Sequence, residues 1–306
     1  MDGRSTSPSM SDTPDDDSLK WEKRSLRCHL GLGPEPGDPP SNSPRIQPLF
    51  FIEIAPDSRN GSKCKLPKCD EPILPGDIRL ALNPAMSSNS WHESSADFYH
   101  IRCFEKIVDF SQAGISALVQ PLTRNSWKVR GLKAGTILDG NYLVPGGLER
   151  LVLEWKATRG EWIDKRDGVY DEEGNRLDPD FEALLRNAGS SAYQKQTKPE
   201  GMPQSEYYNL LFKLAPYESN GPGDTEEWNL FATYLDSSAE ALHNPHDLST
   251  MLERWENDTM LAINKEEDLD EVERAAKSRL GGKAIRALQR LSVIPMLQIG
   301  LTPFGE

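Results

Sequence analysis

Cys64, Cys69, His100 and Cys103 are the residues of this chain whose types and spacing can do defined chemistry. They read Cys-x4-Cys, then thirty residues, then His-x2-Cys. Three thiolates and one imidazole complete a tetrahedral zinc shell with no open position, so one structural Zn2+ is expected rather than a catalytic one. Each close pair supplies two ligands from a local turn, and the long gap leaves room for a small folded lobe. The chain has four cysteines and three of them fall in this array, which favours a metal. Two other readings remain open at this stage. A disulfide would pair two of the three thiols and leave both the third and His100 without a role. Unrelated buried thiols beside a surface histidine would leave all four without one.

The elements that must position these ligands are visible around them. Leu49 to Ile54 alternates as a strand leading into the lobe. Cys103 to Val119 predicts a helix with Phe104, Ile107, Val108 and Phe110 on its apolar side, ended by Pro121. Residues 126–185 read as a mixed strand and turn segment, with Trp127, Val129, Ile137, Leu138, Tyr142 and Leu143 among glycines. Within it, DKRDGVYDEEGNR has the pattern of a charged hairpin turned at Gly168 or Gly174. Residues 186–204 form a polar linker. Residues 205–306 are helical in pattern: Thr225 can cap a helix carrying Trp228, Phe231, Tyr234 and Leu235. Asp247 or Ser249 starts a second with Leu252, Trp255 and Leu261. Leu269 to Leu291 makes one or two more, broken at Gly281-Gly282. Their aromatic stripes are core positions of a small bundle, and His243 and His246 flank a helix start that they cap or decorate.

Residues 1–45 are rich in Ser, Pro, Asp and Gly and predict a disordered leader, interrupted by a short docking element around Trp21, Leu26, Cys28 and Leu30. The expected fold class is therefore α+β: leader 1–45, small metal-stabilised unit 46–125, mixed segment 126–185, linker 186–204 and helical region 205–306.

With 306 residues the chain is long enough for one or two domains with a real core. No apolar run approaches a membrane span, and the N-terminus lacks the apolar stretch of a secretory signal. Low cysteine usage together with thiolate ligands predicts a reducing compartment. The net charge of −13 argues against a broadly basic nucleic-acid binder, so contact with a polyanion must be local.

The residues around the ligands carry a resemblance. Ile73, Gly76, Asp77 and Arg79 stand in CDEPILPGDIRLAL between the second and third ligands. The last pair lies in DFYHIRCFEKI, and FFIEIAPDSRNGSKC precedes the first. Together these resemble the PARP-type zinc finger, the DNA-break-sensing module of poly(ADP-ribose) polymerases and of one class of DNA ligase. The resemblance covers residues 48–110. The chain departs from the family's usual two residues between the first cysteines by having four, Pro67 among them. The resemblance implies a nuclear, zinc-dependent protein that binds DNA with nicks or ends, in DNA repair. It places phosphate-gripping arginines at Arg79 and Arg59, and a base-stacking side chain at Trp91 with Met86 as a weaker helper. Trp91 folding back onto the finger is the alternative. Arg59, Lys63, Lys65 and Lys68 form one candidate phosphate patch, and Arg124, Lys128, Arg130 and Lys133 a second. Both patches are equally readable as solvated charges balanced by nearby carboxylates. The acidic helical region is the candidate surface for a protein partner. A zinc-stabilised interaction module without DNA affinity is the alternative function.

No catalytic role is expected. Lys165-Arg166-Asp167-Gly168 matches the Lys-x-Asp-Gly of nucleotidyl-lysine ligases, but Tyr170 stands where those enzymes have arginine, and too little chain follows for a ligase core. No His, Tyr and Glu set on a glycine-rich scaffold supports ADP-ribosyl transfer, and no nucleophile elbow is visible.

Overall fold

The computed structural model describes residues 14–40, 44, 46–59, 61–86, 95–112, 114–124, 126–133, 135–136, 141–168, 230–235, 238 and 243–294. It is an α+β structure built on a mixed four-stranded sheet. Leu49–Ile54 forms β1, as its alternation predicts, and it is buried along nearly its whole length. A strand covered on both faces reads as an almost continuous apolar run, which LFFIEI does. Ile78–Asn83 (β4) pairs antiparallel with β1 in the register Glu53↔Arg79 and Phe51↔Ala81. Asp97–His100 (β5) pairs antiparallel with β4, setting His100 opposite Arg79. Val119–Pro121 (β6) adds a parallel edge on the other side of β1, giving the order β5-β4-β1-β6. A separate hairpin joins Ser62–Lys63 (β2) to Pro72–Ile73 (β3). Gly61 enters it with φ +64, and a Cβ there would collide with the Ile73 carbonyl, so only glycine fits this approach.

Among the described residues, five α-helices pack around the sheet. Pro14–His29 (α1) lies inside the expected leader. Its Leu26 and the following Leu30 are buried in the common core, and His29 Nε2 stands 2.9 Å from the Pro84 carbonyl. Ile101–Phe104 (α2) is only four residues long, so the helix expected over Cys103 to Val119 does not form. Two local features stop it. Asp109 accepts from the Ser111 N–H, its hydroxyl and Gln112, a turn that competes with helix. Gly114 then takes a left-handed φ of 82°. Phe104, Ile107, Val108 and Phe110 are buried nonetheless.

Gly146–Arg166 (α3) is a 21-residue helix where a strand and turn segment was expected. Its buried Leu148, Leu151, Val152, Trp155 and Ile163 recur at helical spacing. Asp247–Ile263 (α4) and Glu271–Leu291 (α5) match the expected C-terminal helices. The α5 N-terminus is closed by a reciprocal capping box between Asp270 and Glu273. The break expected at Gly281-Gly282 is present, because Gly281 leaves helical geometry at φ 79° and ψ 156°. Ahead of α4, Phe231–Thr233 makes one 3-10 turn. Thr225, Trp228, Ile137, Leu138, Gly174 and the linker 186–204 lie outside the described residues.

One core joins all of this. Phe50 and Phe104 meet edge-to-face at 4.9 Å under the sheet, and Phe110 meets Trp155 of α3 at 5.4 Å. Trp155 donates to Asp247 at the start of α4. Trp255 of α4 is stacked on Phe231 at 5.7 Å and edged by Tyr234 at 5.2 Å. Gly147 permits the closest approach of α3 to this cluster: a Cβ there would stand 2.5 Å from the Trp255 ring.

Candidate metal centre

His100 is the last residue of β5 and the N-cap of α2, and Cys103 lies within that helix. The x2 spacing therefore aims both side chains from one helical turn. The first pair comes from the segment after β2. The four residues between Cys64 and Cys69 form a turn closed by the Cys69 N–H on the Leu66 carbonyl, with Lys68 at φ 63°. The turn absorbs the longer spacing and delivers Cys69 to the other three. The Lys65 N–H bonds to the Phe98 carbonyl and ties this knuckle to β5.

The four donor atoms all lie within 4.8 Å of one another, close enough to hold one metal ion. Cys69 Sγ is 3.5 Å from His100 Nδ1, Cys103 Sγ is 3.8 Å from the same nitrogen, and the two sulfurs are 3.7 Å apart. Bonds of ~2.3 Å to sulfur and ~2.0–2.1 Å to nitrogen give tetrahedral edges of about 3.8 Å between thiolates and about 3.6 Å between thiolate and imidazole. The observed edges are compatible with a single structural zinc. Cys64 and Cys103 are buried. The hydrogen bond with Cys103, then the backbone N–H groups of Leu66 and His100, pull the Cys64 thiol down to about 5 against its burial. The same sharing with Cys64, together with burial, pushes Cys103 up. The cluster thus already favours a thiolate at Cys64, and a cation would hold all three sulfurs in that form.

The basic residues around this centre divide sharply. Arg59, Lys63 and Lys65 are exposed, Lys65 standing 3.5 Å from Asp97. Arg79 is different: it is 1% exposed. Its Nε and Nη2 donate to Glu53 Oε1 at 2.9 and 2.6 Å, its Nη1 donates to Ser62, and its guanidinium lies 3.8 Å over the Phe98 ring. Arg130 is buried too and donates to the other Glu53 oxygen at 3.0 Å. The register that puts Glu53 opposite Arg79 makes both arginines part of a buried Arg–Glu–Arg group. Both side chains are buried, and their donors are directed at Glu53 and Ser62 rather than at the surface. Trp91 and its neighbour His92 lie outside the described residues, while Met86 is half-buried against the core.

Glu105 escaped the sequence reading although it stands two residues beyond Cys103. It is buried, accepts from the Ser249 N–H at 2.9 Å and from its hydroxyl at 2.5 Å, and holds His246 Nδ1 at 3.2 Å. Burial pushes its carboxyl up, opposed by these hydrogen bonds. His246 is the N-cap residue of α4 by position, but its side chain makes no cap bond and faces Glu105 instead, and His243 is edge-on to Trp162. Lys165 is exposed near the end of α3 and paired with Glu161 at 2.7 Å.

The chain matches no protein-family model, no curated protein and no solved structure. No helix among the described residues is long and apolar enough to cross a membrane.

Proposed function

We propose that this is a non-catalytic, zinc-dependent protein that recognises DNA strand breaks or ends through a PARP-type finger, acting in the nucleus in DNA repair. The observation that carries the reading is the convergence of Cys64, Cys69, His100 and Cys103 on one site with zinc-compatible edges, in the motif context that resembles that family. The zinc holds the lobe and performs no reaction, since four protein donors leave no position for substrate. Exposed Arg59, Lys63 and Lys65 grip the continuous backbone, and Trp91 stacks on a base face exposed where the duplex is interrupted. The non-catalytic reading is supported by Lys165, whose exposed, carboxylate-paired ammonium lacks the desolvation that makes a lysine nucleophilic. The acidic C-terminal region is the surface for a protein partner.

A second reading, a zinc-stabilised interaction module without DNA affinity, is favoured by one observation: Arg79 and Arg130 are tied up inside the protein with Glu53. Fluorescence anisotropy of the zinc-loaded full chain against nicked, blunt-ended and end-closed duplexes, at one stated salt concentration, separates the two. A break sensor binds the interrupted duplexes more tightly, loses that preference with Trp91→Ala and loses affinity with Lys63→Ala plus Lys65→Ala. Equal, weak binding to all three duplexes sinks the break-sensing reading.

A further inference from the structure

A second charged feature lies apart from the Lys63 and Lys65 surface. A cleft of about 730 Å3 opens between α1 and residues 105–112, with the end of α3 and Pro245 at its rim. Its size is that of a ligand site. Seven Lys and Arg residues line it against three carboxylates, a surplus of four positive charges in a chain of net charge −13.

α1 supplies Lys20, Lys23, Arg24 and Arg27 at spacings of three and four, which place them along one stripe. Lys106, Arg159 and Arg166 stand across from them. Two of the seven are structural. Arg27 donates to Gly33, Gln112 and Glu35, and Arg159 is bound by Asp247. Of the rest, Arg166 is held by Asp167 at 2.8 Å and Lys20 also interacts within the protein, which leaves Lys23, Arg24 and Lys106 for a ligand. Lys23 and Lys106 are exposed, and their side chains make no hydrogen bond or ion pair among the described residues. Arg24 is more than half exposed and approaches Glu35 only to 3.8 Å. Two of the carboxylates are occupied, Glu105 by Ser249 and Asp109 by Ser111 and Gln112.

The cleft ends on an aromatic wall. Trp162 is half-buried there, with the Arg166 guanidinium 5.0 Å from its ring. At the other end Lys106 borders a second cleft, of mixed charge, where Asp70 and Glu71 offset Lys68 and Arg102 and Arg102 is paired with Glu71 at 3.2 Å. The basic track is therefore the first cleft, running from Lys106 past α1 to Trp162.

We propose that this track binds a single-stranded phosphodiester chain, with phosphates on Lys23, Arg24 and Lys106 and a base against Trp162. A cationic groove that follows the backbone, with an aromatic face for stacking, is the arrangement that holds single strands without reading sequence. An acidic peptide would meet the same cations but would leave Trp162 unused. The site is distinct from the surface proposed to meet an interrupted duplex, so the two readings fail independently.

The test is anisotropy of the zinc-loaded full chain with a short fluorescein-labelled oligodeoxythymidine across a salt series. Three phosphate contacts predict a slope of log K against log salt of about −2, falling to about −0.7 in Lys23→Ala plus Lys106→Ala. Both lysines are exposed, so thermal melting of that variant stays as in the parent. Trp162→Phe retains the slope and keeps most of the affinity, whereas Trp162→Ala loses roughly tenfold or more. Absence of binding, or an unchanged slope in the double variant, overturns the proposal. So does competition by polyglutamate as effective as that by unlabelled oligodeoxythymidine, which would assign the track to an acidic peptide. Nicked-duplex preference that survives in the double variant shows that the metal-centre reading is unaffected.

Discussion

In the lobe around the metal centre, two strands of two residues each, the end of the four-residue β5 and a four-residue helix bring four donor atoms together. Around Trp255, helices of 21, 17 and 21 residues interlock through aromatic rings and close glycine contact. The first region has elements too short to sustain themselves, and bonds to a metal held by the four donors would substitute for the helical length and buried area it lacks. The second needs no ligand, because long amphipathic faces supply the burial. Between them sits Glu53 with its two arginines, where charge is buried without a metal. Position in the chain says little about which strategy applies; element length says more.

Removing the metal should therefore produce the largest effect and a local one. Cys103→Ser is expected to lower bound zinc from one per chain to none, measured by metal analysis after gel filtration. The free energy at stake is on the order of 10 kcal/mol, as for small zinc-dependent folds. Helical circular dichroism from α3, α4 and α5 should largely persist; its complete collapse would show that the two regions are not separable. Glu53→Gln comes next. It leaves two buried guanidiniums without a counter-charge and is expected to cost about 3–5 kcal/mol in urea unfolding. A loss below about 1 kcal/mol would mean water reaches the group.

Gly147→Ala probes the other region alone. Its new methyl meets the Trp255 ring and Leu291, so about 1–3 kcal/mol of destabilisation is expected with zinc content unchanged. The smallest effect is conditional on pH. Burial pushes the Glu149 carboxyl up to about 7, so the folded state holds that proton more tightly than the unfolded state, whose value is near 4.5. Its contribution is fully present below about pH 4.5 and is lost as pH rises through 7. Glu149→Gln should flatten that decline, making the variant more stable than the parent at pH 8 but not at pH 4. Denaturant midpoints at those two pH values check the sign.

Local pattern made some of this legible and tertiary pairing hid the rest. The ligand spacing, β1, α4 and the break at Gly281 were all readable, because each depends on residues near one another in sequence. α3 was present in the spacing of Leu148, Leu151, Val152, Trp155 and Ile163, but the glycines before it and the charged run after it suggested turns. α1 was obscured by its Ser-, Pro- and Asp-rich surroundings; its buried contacts, Leu26 and Leu30, need the sheet to give them meaning. The burial of Arg79 was hidden for a deeper reason. An arginine that grips a phosphate and one that neutralises an interior carboxylate look identical in sequence, and the β1–β4 register that sets Glu53 opposite it is non-local.

The bond from Glu105 to Ser249 gives the order of synthesis a role in folding. The two residues are 144 positions apart. At ribosomal rates of about 5–20 residues per second, roughly 7–29 seconds separate their emergence. Throughout that interval the carboxylate beside the candidate ligands stands open to other chains, whereas the Phe110 face waits only about 2–9 seconds for Trp155. Early metal capture would shorten the list of wrong partners available to the nascent lobe, while the final seal waits for α4.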